Sequence, residues 1–235
     1  MSHSLLNTLR DLRGNARGAV LTEPLWGIPF NLYAPYVSIY MLALGLTHTQ
    51  VGLVTSVALA GQIVFALLSG VITDKLGRKR ATLVFDILAW TIPCLLWAAA
   101  QNLVWFLVAG LVNSLRRVPD ISWNCLLVED TDPRQLVHIY AWIYLAGQLS
   151  VFFAPLAGLL IGHFSLVPTV RGLFLLSCVM MTARFLIFNS LVTETSQGRV
   201  RMIETRDRSV PALLSEYHGV AGTYSQRPTR STRLP

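Results

Sequence analysis

The chain has 235 residues, of which 53% are hydrophobic and only 13% charged, with a formal net charge of +7. Ordinary soluble domains carry about a quarter charged residues, so this composition argues against a water-soluble fold. The basic residues fall between apolar runs and at the two ends, with no basic stripe interleaved by base-stacking aromatics, which excludes nucleic acid as the partner.

Residues 1–22 form a first segment. Leu5, Leu9 and Leu12 recur at helical spacing with Arg10, Arg13 and Arg17 on the other side. This predicts either an amphipathic helix lying on lipid headgroups or an ordinary solvated helix. No apolar core precedes the first long run, so no cleaved signal is expected. Residues 23–194 then hold six expected spans, roughly 25–44, 51–70, 81–100, 103–128, 139–162 and 172–192. Most match the roughly 20 apolar residues that a helix needs to cross a bilayer. The connections at 45–50, 101–102 and 163–170 lack Lys and Arg, whereas the turn after the second span holds Lys75, Arg78, Lys79 and Arg80. That asymmetry predicts a multi-pass protein of the cell membrane with both termini in the cytoplasm. Residues 195–235 read as a basic, largely disordered cytoplasmic tail with one helical piece at 210–217. Cys94, Cys125 and Cys178 lie inside apolar runs and fit neither a metal ribbon nor a disulfide framework.

The fourth span is the difficult one. From Leu103 its apolar run lasts only about 13 residues, some 20 Å of helix, before Arg116-Arg117. The third and fifth spans are of full length, so a crossing must occur between them. The helix is therefore expected to continue through Arg116, Arg117 and Asp120 to about Val128, and to stop before Pro133.

The turn Gly70-Val71-Ile72-Thr73-Asp74-Lys75-Leu76-Gly77-Arg78-Lys79-Arg80 resembles the loop between helices 2 and 3 of the major facilitator superfamily of secondary transporters. Pro155 and Gly158 on the fifth span resemble the proline–glycine motif of helix 5 in that family's exporters. Glu129 with Pro133-Arg134, and Glu194-Thr195, fit the exits of helices 4 and 6. The resemblance implies an all-α membrane fold, the N-terminal six-helix half of the family architecture, built as two inverted three-helix repeats. It also implies that the second half is missing from this chain; a truncated or frame-shifted transporter is the expected origin, with a fragment of a longer protein or a half that assembles with another chain as the alternatives. Gly70, Asp74, Gly77, Arg78, Lys79 and Arg80 would then be the gating motif. In that role Asp74 would cap a second-half helix, and Arg78 would pair with Asp74 or with Glu129 and Asp130.

On the fourth span Asn113, Arg117, Asp120 and Asn124 recur at i, i+4, i+7 and i+11, along one helical face. Arg116 precedes Asp120 by four residues and is expected to pair with it. Each charge at a helix centre costs roughly 2.5–3.5 kcal/mol to insert, so such residues usually face a cavity. That face is read as lining the path of an anionic or polar solute. The alternative is a structural pair that orients the helix. Asn31 and Tyr33 on the first span and Gln148 on the fifth are further cavity candidates; Gln62 and Gln148 also read as interhelical glue. Trp26 and Trp105 read as interface anchors, and Asp86 as a partner of Arg78 or Arg80.

No nucleophile–base set and no phosphate-cradling loop occurs, so neither an enzyme nor a cofactor is expected. The expected function is transport of an unidentified small solute by alternating access, driven by a proton or solute gradient. The alternative is a non-transporting half that only associates with other membrane proteins.

Overall fold

The computed structural model describes residues 12–216, and every regular element among them is helical. α1 (Gly14–Tyr33) and α2 (Val37–Ala43) are joined by a 3-10 turn at Ala34–Tyr36, where Pro35 cannot continue the α pattern. α3 runs from His48 to Leu76, started by Thr47 and Gln50 in a reciprocal capping box. α4 (Arg78–Asp86) and α5 (Ile92–Ala99) form one rod through a π-helical turn at Ile87–Thr91. α6 (Leu103–Asn113) and α7 (Arg117–Val128) are likewise joined by a 3-10 turn at Ser114–Arg116. α8 (Pro133–Val151) and α9 (Ala154–Phe164) precede α10 (Leu166–Leu191), and α11 (Ser196–Thr205) follows it.

Among the described residues, four segments are long and apolar enough to cross a membrane: His48–Leu76, Arg78–Ala99, Pro133–Phe164 and Leu166–Leu191. The expected fourth span is helical through its charges to Val128, with the turn at Ser114–Arg116 as its only break. Pro119 explains that break, because it has no N–H for the carbonyl of Leu115. The same logic governs the rod of α4 and α5. Pro93 cannot donate to the carbonyl of Ala89, and Asn113 Nδ2 supplies the bond from α6 at 2.8 Å.

Helices approach closely where side chains are small. A Cβ on Gly61 of α3 would lie 2.7 Å from Ser114 Oγ, and one on Gly27 of α1 would lie 2.7 Å from Ser150 Oγ of α8. Small-residue contacts of this kind replace the hydrophobic drive that lipid does not supply between helices. The main apolar cluster packs Tyr33, Tyr40, Trp90, Phe106, Phe174 and Phe185 between α1, α2, α6, α10 and the π-turn. Outward faces are apolar too: Ile63, Leu67, Leu159 and Val179 stand exposed, and only 11% of the most apolar window of Pro133–Phe164 is buried. In water such a surface would be untenable; against acyl chains it is the expected one.

Two expectations change at the ends. Leu5 and Leu9 lie outside the described residues, but Leu12 and Ala16 are buried with Val20 against Ile139 of α8. This stretch packs into the bundle as the start of α1 instead of lying on a headgroup surface. The segment after the last long helix, expected to be largely disordered, forms α11, while the helical piece expected at 210–217 is helical over its described part, 210–216. Thr195 caps α11 by accepting from Gly198 N. Residues 217–235 of the expected tail lie outside the described residues.

Candidate functional site

Two charged constellations stand out in this apolar framework. The first gathers at one end of the bundle, around Arg78. Gly77, between α3 and α4, has φ +82°, and a Cβ there would meet Glu194 Oε2 and Met202 Sδ at 2.6 Å each. Only glycine suits that conformation and that space. The turn presents Arg78 inward, with its side chain 5% exposed. Its guanidinium spans two carboxylates: Nη1 donates to Asp74 Oδ1 at 2.8 Å, while Nε and Nη2 donate to Glu129 at 2.9 to 3.1 Å. Arg201 of α11 holds the other oxygen of Asp74, with Nη2 at 2.9 Å. Glu194 accepts from the backbone N–H groups of Arg78 and Lys79 at 3.1 and 3.0 Å, a carboxylate on the positive end of α4. Thr195 Oγ1 donates to Glu129. The cluster therefore ties together the ends of α3, α4, α7, α10 and α11.

Several motif residues lie elsewhere. Asp130 is not at Arg78; it accepts from Ser196 N and Oγ at the start of α11. Lys79 Nζ donates to the carbonyl of Val192 at 2.9 Å and Lys75 Nζ to that of Arg208 at 2.6 Å, while Arg80 is exposed. Gly70 is half-buried within α3.

The second constellation lies within the bundle. A cavity of about 230 Å³ is lined by Glu23 and Trp26 of α1, Asp86 and Trp90, Pro119, Asp120, Trp123 and Asn124 of α7, and Arg184 of α10. Arg184 is 6% exposed and sits between two acids, with Nη2 3.6 Å from Glu23 Oε2 and Nη1 3.6 Å from Asp86 Oδ2. Asp86 thus pairs with α10 and with neither Arg78 nor Arg80. Burying charge at such depth is tolerated when opposite signs meet. Asp120 also borders a neighbouring cavity lined by Gln62, Ser69 and Arg117.

The pairing expected on the fourth span is re-phased. Arg117 Nη1, not Arg116, contacts Asp120 Oδ2, at 3.4 Å, and Arg116 Nη2 donates to Gln62 Oε1 at 2.9 Å. The 3-10 turn after Asn113 winds more tightly than an α-helix, about 3.0 against 3.6 residues per turn, so the i, i+4 geometry assumed for Arg116 and Asp120 is lost. Asn113 bonds the Ala89 carbonyl and lines neither cavity. Asn124 reaches the first cavity while accepting from Tyr140 Oη at 2.9 Å. Asn31 bonds the carbonyl of Gly27 on its own helix, and Tyr33 is packed among Phe30, Trp97 and Phe174. Gln148, Pro155 and Gly158 are exposed; Pro155 occupies the first turn of α9, and a Cβ on Gly158 would meet Tyr36 Oη at 3.2 Å. Glu23, Trp90, Trp123 and Arg184 were not singled out by sequence, although an arginine inside an apolar run calls for a buried acid.

Long helices with apolar outer faces define a multi-pass membrane protein. The chain belongs to the Major Facilitator Superfamily, whose model matches residues 26–223. It is similar to the uncharacterized MFS-type transporter YqjV of Bacillus subtilis (strain 168), with 31% identity over 130 residues. That stretch is 54% of this chain and 32% of YqjV, so the match spans about a third of the relative's length. The family is one of membrane transporters.

Proposed function

We propose that this chain forms one half of a secondary transporter that moves a small solute by alternating access across the cell membrane, driven by a proton or solute gradient. In this reading the chain crosses the bilayer six times, as two inverted three-helix repeats. Residues 14–43 and 103–128 supply the two crossings beyond the four strongly apolar segments, with both termini in the cytoplasm. The observation that carries the reading is the charged cavity of Glu23, Asp86, Asp120 and Arg184 inside an otherwise apolar helical body. A scaffold protein has no use for ionised groups that cost several kcal/mol to keep there. A second six-helix half facing this one would complete the solute path.

The Arg78 cluster is the gate. Asp74, Arg78 and Glu129 hold the ends of α3, α4 and α7 together, and rocking of the halves would break and remake their contacts with the facing half. Flux into proteoliposomes that hold this chain together with a second half tests the proposal: solute accumulated against its own concentration gradient when a proton gradient is imposed supports it. Uptake that is unchanged by collapse of every ion gradient contradicts the coupling. The other reading, a membrane-embedded half that only associates with partners, is favoured by the bare apolar face of α8 and α9, where Val137, Phe152 and Leu159 are exposed. It predicts co-purifying membrane proteins and no flux in any reconstitution.

A further inference from the structure

The substrate class can be argued from the interior cavity, on the reading that this cavity belongs to a solute path. Its charged groups are Glu23 from α1, Asp86 from α4, Asp120 from α7 and Arg184 from α10. Arg117 contacts Asp120 at 3.4 Å, and Arg116, which bonds the neutral Gln62, also acts on Asp120. Glu23 and Asp86 share a single guanidinium, that of Arg184, so this side of the space holds one carboxylate more than it holds cations. The positive surplus that the span-four arginines suggest in sequence is therefore confined to the Asp120 side of the cavity.

The two ion pairs of Arg184 are open, both at 3.6 Å, beyond hydrogen-bonding distance. A competing cation can therefore take either carboxylate without first breaking a direct hydrogen bond to Arg184. The walls are aromatic. Trp26, Trp90 and Trp123 all line the cavity, and Trp26 meets Trp90 edge-on at 5.4 Å. Indole faces are the best side-chain partners for a desolvated organic cation.

An independent observation also points to a ligand. Two buried donors at this cavity, Arg184 Nε and Trp123 Nε1, have no hydrogen-bond partner among the described residues. Orphaned buried donors are rare because each costs free energy until an acceptor reaches it. We propose that the cavity between α1, α4, α7 and α10 binds a monovalent organic cation that also carries an acceptor oxygen. Its ammonium would sit among Glu23, Asp86 and the indoles, and its oxygen would accept from Trp123 or Arg184. A volume of about 230 Å³ suits a compact quaternary or tertiary amine.

The test is isothermal titration of the full chain in nanodiscs with acetylcholine, its uncharged carbon isostere 3,3-dimethylbutyl acetate, and pentanesulfonate. Acetylcholine binds saturably, and the isostere binds about tenfold or more weakly, the difference that about 1.4 kcal/mol of charge recognition gives. Glu23→Gln and Asp86→Asn each weaken acetylcholine by about the same factor and leave the isostere unchanged. Arg184→Gln strengthens acetylcholine, because it removes the resident competitor; Asp207→Asn, on the exposed surface beyond α11, changes nothing. The proposal is overturned if pentanesulfonate is preferred, if acetylcholine and its isostere bind equally, if neither binds, or if Arg184→Gln abolishes binding in a protein that still elutes as the parent does. Binding without counterflow of labelled acetylcholine in vesicles that hold this chain together with a second half would sink the transport reading and leave the ligand class standing. Flux confined to anions would do the reverse.

Discussion

Arg78→Ala removes a side chain that joins Asp74 to Glu129. The guanidinium is 5% exposed, and the two carboxylates are 10% and 17% exposed, so both acids would be left largely out of water. Removing one partner of a buried ion pair typically costs about 3–5 kcal/mol. Asp74 keeps Arg201 at 2.9 Å and Glu129 keeps Thr195, which places the expected loss at the lower end, about 3 kcal/mol. For a chain of this size that corresponds to a fall in apparent Tm of about 6–12 °C. Arg78→Lys replaces a planar fork by a point charge and recovers about half of the loss. The assay is tryptophan-monitored thermal unfolding in nanodiscs at matched lipid composition. If Arg78→Ala unfolds within about 2 °C of the parent, the network does not hold the helix ends together and the gating argument fails with it.

Gly77→Ala forces a Cβ at φ +82° toward Glu194 and Met202, and should undock α11, read as faster proteolysis between residues 195 and 216. Asn113→Ala leaves the Ala89 carbonyl beside Pro93 without a donor and should cost about 1–3 kcal/mol; a loss below about 0.5 kcal/mol would show that the π-turn satisfies that carbonyl in another way. Gly61→Val drives a side chain into Ser114 and should cost about 1–3 kcal/mol of stability, seen as a lower unfolding temperature; an unchanged value would refute the close approach of α3 to the Ser114–Arg116 turn.

What could be read in the sequence was whatever depends on local pattern. The turn from Gly70 to Arg80 stood out because its charges interrupt two long apolar runs, and the fourth span had to continue through its arginines because its neighbours allowed no other path. Pairings across the bundle were less accessible. Asp86 could be placed near one end of its helix, but its partner comes from Arg184, on a distant run, and no periodicity links the two. Arg116 was assigned to Asp120 by regular α spacing, and a 3-10 turn ahead of Pro119 moved it to Gln62. The basic composition after residue 195 suggested disorder, yet Thr195 starts a helix whose Arg201 finds Asp74. For Asp86 and for the segment after residue 195, a side chain brought in from a remote segment changed the outcome; for Arg116 it was a local break in the α pattern.

The threading of the chain through the bilayer is tested most directly by substituted-cysteine labelling in intact cells, with Cys94, Cys125 and Cys178 replaced. Single cysteines at Leu76, Gln135 and Gln197 should react with an impermeant maleimide only after permeabilisation, and those at His48, Gln101 and His163 without it. Labelling of Leu76 and His48 from the same side would contradict the account.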